Sequence, residues 1–174
     1  MARLLPPQSA ALDDVSRDVG IGVDTANPAP GVLDALADAE LILLPPSNPV
    51  VSIGPIVDVP GIRDAIATAA APVVGVSPII GGAPVRGMAD KLLPAINVPT
   101  SATGVGRHYG GRGAGTDGGG LLDGWLVDPA DGDATVPGAL VRAVPLLMSD
   151  VPTAAAIAHE ALRLAADVRT GHRQ

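Results

Sequence analysis

Two short runs without a polar side chain, Leu41-Ile42-Leu43-Leu44 and Val73-Val74-Gly75-Val76, constrain this chain more than any other feature. A strand with one wet face alternates apolar and polar residues. A run with no alternation predicts a strand buried on both faces, as in a parallel sheet covered by helices. Between the two runs, Ile62, Ala65, Ile66 and Ala69 recur at helical spacing, with Asp58 as a candidate N-cap and Pro60 in the first turn. Before the first run, Val32, Leu33 and Leu36 share one helical face, and Asp34 and Asp38 take another. The resulting strand–helix–strand order predicts an α/β fold with a mostly parallel sheet.

The rest of the chain fits that frame. Val19-Gly20-Ile21-Gly22-Val23 and Gly124-Trp125-Leu126-Val127 read as strands, and residues 140–147 as the last strand. Residues 88–96 and 101–109 read as helices. Asp150 caps a closing helix in which Ile157, Ala161, Leu164, Ala165 and Val168 form one stripe, with fraying expected from residue 169 onward. Residues 110–120 hold seven glycines in eleven positions and read as a mobile loop.

Composition narrows the function. The 174 residues carry 11 basic and 18 acidic side chains, a formal charge of −7, which argues against nucleic acid or an anionic membrane as partner. There is no cysteine, so disulfides, thiol chemistry and cysteine-built zinc sites are excluded. Phe is absent and Trp125 and Tyr109 are the only aromatics, which leaves no base-stacking platform. No apolar run approaches the ~20 residues of a membrane span, and the start is unlike a signal peptide, so a cytoplasmic protein is expected.

Successive parallel strands point the same way, so the segments after Leu44 and after Val76 emerge on one edge of the sheet, where α/β proteins bind ligands. The segment after Val23 (Asp24-Thr25-Ala26-Asn27) is expected to join them. The first of these loops, residues 47–58, offers Ser47, Asn48 and Ser52 as donors to an anion; Asn48-Pro49 and Gly54-Pro55 equally read as plain turns. The second, residues 77–87, holds Ser77, then Gly81 and Gly82, where backbone can approach a ligand closely, then Arg86, with Lys91 one turn further on. A Gly-Gly turn with solvated charges is the plain alternative. Arg107 and His108 form a third candidate, against a simple surface cap.

Other apparent motifs fail. Gly113-Ala114-Gly115-Thr116-Asp117-Gly118 spells G-x-G-x-x-G but has no strand before it and no helix after it. His159-Glu160 lacks a second histidine four residues on, where Arg163 stands. No set of acids has metal-site spacing, so neither a metal ligand nor a catalytic residue is assigned.

The run Ser47-Asn48-Pro49-Val50-Val51-Ser52-Ile53-Gly54-Pro55-Ile56, with Val59-Pro60-Gly61-Ile62-Arg63, Ser77-Pro78-Ile79-Ile80-Gly81-Gly82 and Arg86-Gly87-Met88-Ala89-Asp90, resembles the 2-phospho-L-lactate transferase family of coenzyme F-420 biosynthesis. Gly104-Val105-Gly106-Arg107-His108-Tyr109-Gly110 and Val144-Pro145-Leu146-Leu147-Met148-Ser149-Asp150 extend the likeness, in the style of the actinobacterial, phosphoenolpyruvate-transferring members. The resemblance implies a Rossmann-like fold. It also implies transfer of a 2-phospholactyl or phosphoenolpyruvyl group from a guanosine-diphospho donor to the deazaflavin FO, with Mg2+ and release of GMP.

The resemblance runs from about residue 18 to 174 and covers only the family's carboxyl-terminal half. Residues 1–17 read as a divergent or disordered amino terminus. Half a doubly wound sheet leaves a strand edge unpaired, so a homodimer, or a complementing amino-terminal half, is expected, with poor solubility or inactivity when the chain is alone. The competing reading is a non-catalytic nucleotide-binding or regulatory module of the same superfold.

Overall fold

The computed structural model describes residues 22–115 and 119–171. The expectations for residues 1–17, 19–21 and 172–174 lie outside them. Helix α1 spans Val32–Ala37, strand β1 Ile42–Leu44, helix α2 Gly54–Val57 and helix α3 Ile62–Thr68. Strand β2 (Val73–Val76) is followed by a hairpin of β3 (Ile79–Ile80) and β4 (Ala83–Pro84). Helices α4 (Ala89–Ala95) and α5 (Ala102–Tyr109) lead to β5 (Gly124–Val127), β6 (Leu140–Ala143) and the long closing helix α6 (Val151–Gly171).

The main sheet is parallel throughout, in the order β1-β2-β5-β6, with Ile42 opposite Val73, Val74 opposite Gly124 and Trp125 opposite Val141. The expected α/β class therefore holds. Alternate residues divide the core between two faces. Val73, Trp125 and Val127 pack with Ile42, Leu44, Ile66, Leu93 and Val105 on one side. Val74, Val76 and Leu126 pack against Ile157, Ala161, Leu164 and Ala165 of α6 on the other. The α6 stripe is the one its periodicity predicts, and Asp150 caps the helix by accepting the Thr153 N–H at 2.8 Å.

An indole sits in a core that is otherwise aliphatic save for Tyr109, whose ring stands edge-on to it at 6.1 Å between centroids. Trp125 is fully buried and donates its Nε1–H to the Ala102 carbonyl at 3.1 Å. Its bulk fits because Gly75 and Gly106 lie against it; a Cβ on Gly75 would stand 2.6 Å from the ring.

Four expectations need correction. First, β1 is buried on one face only. Among the described residues it pairs only with β2, and Leu43, pointing to the α6 side, is 43% exposed. An edge strand lacks the neighbouring cover that a double-sided apolar run requires.

Second, residues 49–57 are helical, not an open loop. Pro49–Ile53 forms a wide π-type turn that runs into α2, closed by the Ile53 N–H to the Asn48 carbonyl at 3.0 Å. Asn48 starts it by accepting the Val50 N–H at 2.8 Å on its side-chain oxygen, and Pro49 suits the first turn. Asp58 consequently ends α2 and pairs with Arg63 at 3.2 Å, while Gly61 stands at the start of α3.

Third, Gly22 is a left-handed turn (φ 81°) and Val23–Thr25 a single 3-10 turn, so Gly22 and Val23, the described end of the expected first strand, are not extended.

Fourth, the described part of the glycine tract is anchored rather than loose. Gly111 bridges to Leu122, and Arg112–Ala114 form a 3-10 turn. A Cβ on Gly111 would meet the Pro137 carbonyl at 2.2 Å, and one on Gly120 the Gly111 carbonyl at 2.4 Å. Glycine serves here for close backbone packing, not for freedom.

The tract is locked by Arg112, whose five N–H donors are all engaged. Nε donates to Asp123 Oδ1 at 3.0 Å and Nη2 to Asp123 Oδ2. The Ala69 and Ala71 carbonyls accept at 2.7 and 2.8 Å, and the Ile66 carbonyl at 3.4 Å. Asp123 also accepts the Val73 N–H at 2.8 Å, tying the end of α3 and the start of β2 to β5.

Candidate functional site

Because β1 and β2 are parallel neighbours, the segments leaving their carboxyl ends meet at one edge of the sheet. They enclose a cleft of about 290 Å3. Pro46 and Asn48 come from after β1; Ser77, Pro78, Ile80, Pro84, Val85 and Arg86 come from the hairpin region after β2. Ala89 at the start of α4 closes one end, and Leu146, Leu147 and Met148, after β6, form the facing wall. This lining contains one guanidinium and no carboxylate, in a chain whose formal charge is −7. The Arg86 guanidinium is thus the one charged group of the lining, a donor fork whose geometry suits an anion.

Three of the nine sequence candidates, Asn48, Ser77 and Arg86, share this lining. Asn48 spends its side-chain oxygen on the Val50 and Val51 N–H groups, so its amide nitrogen is the atom left to donate. Ser77 is 2% exposed; its hydroxyl donates to the Ile79 carbonyl at 3.0 Å and accepts the Ile79 N–H at 3.1 Å. Arg86 is exposed, and no described residue accepts from it, so its fork is available to a ligand.

The other six stand differently. Gly81 and Gly82 form the tip of the β3–β4 hairpin, at φ 59° and 76°. Close backbone approach is expected of them; their N–H groups do form an anion nest, but Asp131 fills it, accepting at 2.7 and 3.1 Å. Ser47 is flanked by two lining residues without lining the cleft, and Ser52 lies within the π-type turn. Lys91 is exposed on α4. Arg107 on α5 is held by Thr135, through its carbonyl at 3.3 Å and its hydroxyl at 3.1 Å, and does not reach the cleft lining. His108 beside it is also remote. Burial, then the positive charge of Arg63, lowers its pKa from the usual histidine value, with Asp58 opposing. Residues 24–27 contribute nothing to the lining.

Sequence reasoning missed the apolar wall of Leu146, Leu147 and Met148, and the two aspartates behind the cleft. Asp128 and Asp131 flank Pro129 and Ala130 directly after the last residue of β5. An Asp-x-x-Asp turn at the carboxyl end of a parallel strand was the available signal.

Among the described residues, no group of three or more His, Asp or Glu side chains is placed to hold a metal ion. Among the same residues, no helix is long and apolar enough to cross a membrane.

The likeness read from the motifs holds in comparison with known proteins. The family model of 2-phospho-L-lactate transferase CofD matches residues 7–140. A phosphoenolpyruvate transferase of Streptomyces coelicolor is 57% identical over 155 residues, covering 87% of this chain and 46% of the relative. That of Thermobifida fusca is 58% identical over 151 residues, covering 87% and 44%. That of Nocardia farcinica is 57% identical over 145 residues, covering 83% and 42%. The chain thus spans about half the length of the curated relatives it matches. With motifs, parallel sheet and family match in agreement, the chain belongs to the 2-phospho-L-lactate transferase CofD family.

Proposed function

We propose that this chain takes part in transfer of a phosphoenolpyruvyl or 2-phospholactyl group from a guanosine-diphospho donor to the hydroxyl of the deazaflavin FO, releasing GMP, and that the cleft binds the donor's diphosphate. The observation that carries the reading is the pairing of Arg86 with Asn48 in a carboxylate-free cleft at the carboxyl edge of the sheet. Family membership supports the reaction class, and the names of the relatives support phosphoenolpyruvate as the three-carbon unit.

In such a transfer the acceptor hydroxyl oxygen bonds to phosphorus as the phosphorus–oxygen bond to GMP breaks, and charge builds on the leaving phosphate. The guanidinium of Arg86 is suited to grip two diphosphate oxygens, and the Asn48 amide to orient a third. Ser77 shapes the floor, since its hydroxyl is already paired locally.

GDP titration by calorimetry tests the reading. Arg86→Ala weakens binding by about 1.5–3 kcal/mol, the contribution of a charge-assisted contact. Arg63→Ala leaves it unchanged, because Arg63 lies outside the lining and pairs with Asp58 on the surface. Equal losses from the two substitutions refute the placement of the diphosphate. Conversion of FO by the purified chain with donor and Mg2+ tests the reaction itself.

A further inference from the structure

The cleft's two walls are held by one turn. Asp128 and Asp131 lie at either end of the short 3-10 turn that follows β5. Asp131, 9% exposed, accepts both N–H groups of the Gly81–Gly82 hairpin tip. Asp128 reaches the other way: Oδ2 accepts the Leu146 N–H at 3.0 Å, at the start of the apolar wall, while Oδ1 accepts the Ala130 N–H at 3.0 Å within its own turn. The hairpin also rests on the turn, since a Cβ on Gly81 would stand 3.9 Å from the Ala130 Cβ.

A two-stranded hairpin of two residues per strand has no independent stability. Two consecutive residues at positive φ, as a tight hairpin turn needs, are readily supplied by Gly-Gly but leave the tip intrinsically free. Two charge-assisted hydrogen bonds from a buried carboxylate remove that freedom. Arg86 follows β4 by two residues, so its position depends on where the hairpin is held.

We propose that Asp131 is the positioning residue of the cleft, fixing the hairpin and through it Arg86, with Asp128 setting the opposite wall from the same turn. Its consequence for binding rests on the proposed donor site, whereas its effect on the hairpin does not.

The test uses the full chain with Asp131→Ala, Asp131→Asn and, as control, Asp133→Ala, an exposed residue of the same region. Hydrogen–deuterium exchange is read first, without ligand. Exchange at residues 79–86 rises in Asp131→Ala, rises less in Asp131→Asn, which keeps one acceptor oxygen, and is unchanged in Asp133→Ala, with β5 and α6 protected as in wild type. GDP affinity then falls about tenfold in Asp131→Ala, and this loss nearly vanishes when measured in an Arg86→Ala background. Unchanged exchange at residues 79–86 in both Asp131 variants overturns the proposal. So does raised exchange with wild-type GDP affinity, or a loss that persists in full without Arg86. If wild type itself fails to bind GDP, the donor reading fails and the exchange data alone decide the role of Asp131.

Discussion

Replacing Arg112 with Ala is expected to be the most damaging single change outside the apolar core. The Arg112 and Asp123 side chains are only 17% and 6% exposed, so the pair is largely shielded from water. Removing the arginine leaves the Asp123 carboxylate buried with the Val73 N–H as its remaining partner. It also strips a donor from the Ile66, Ala69 and Ala71 carbonyls, which end α3 and lead into β2. Breaking a buried pair from one side costs about 3–5 kcal/mol, mostly because of the stranded charge. For a domain of this size that corresponds to a fall in Tm on the order of 10 °C.

Urea unfolding followed by circular dichroism measures the loss directly, provided the m-value is unchanged. Arg112→Lys recovers little, since an ammonium has three donors and no planar fork for a bidentate carboxylate. The double variant Arg112→Ala with Asp123→Ala loses less than the two single losses added together, because the buried charge leaves with its partner. A loss below about 1 kcal/mol for Arg112→Ala, or strict additivity in the double variant, refutes the reasoning.

Two further outcomes are expected. Among the described residues, the Tyr109 hydroxyl is the one buried side-chain polar atom without a hydrogen-bond partner, and burial pushes its pKa far above the ordinary tyrosine value. Tyr109→Phe therefore stabilises the chain by about 1 kcal/mol. Because the folded pKa is raised, wild type keeps this group's contribution below the unfolded value of about 10 and loses stability as pH climbs above it; urea midpoints at alkaline pH show that decline, and the Phe variant shows less of it. Among the described residues β1 pairs on one side only, beside the exposed Leu43, so the chain is expected to associate, and Leu43→Lys shifts light scattering toward monomer; a monodisperse wild-type monomer contradicts this.

How much was legible in the sequence depended on how local the determining physics was. The α6 stripe is a periodicity, and periodicity survives folding, so its five buried residues are those the spacing indicates. The two apolar runs likewise appear as neighbouring parallel strands. What failed was set by distant partners. Leu43 is apolar yet exposed because of where β1 sits in the sheet order. Residues 110–120 read as a mobile loop by composition, yet Arg112 pins their described first part to carbonyls more than forty positions away. Gly81 and Gly82 do form an anion nest, but only tertiary structure reveals that Asp131, fifty residues downstream, occupies it. Asn48 carries both readings at once, as a local cap by its oxygen and as a wall of the cleft.

The central claim is that the segments following β1 and β2 together grip a diphosphate at one edge of the sheet. Side-chain and backbone amide NMR spectra recorded during GDP titration test it most directly. Saturable shifts centred on the Asn48 amide, Ser77 and the Arg86 guanidinium, with Lys91 and Arg107 silent, are the predicted result. Shifts that gather around Arg107 and His108 and leave Asn48 and Arg86 unmoved contradict it.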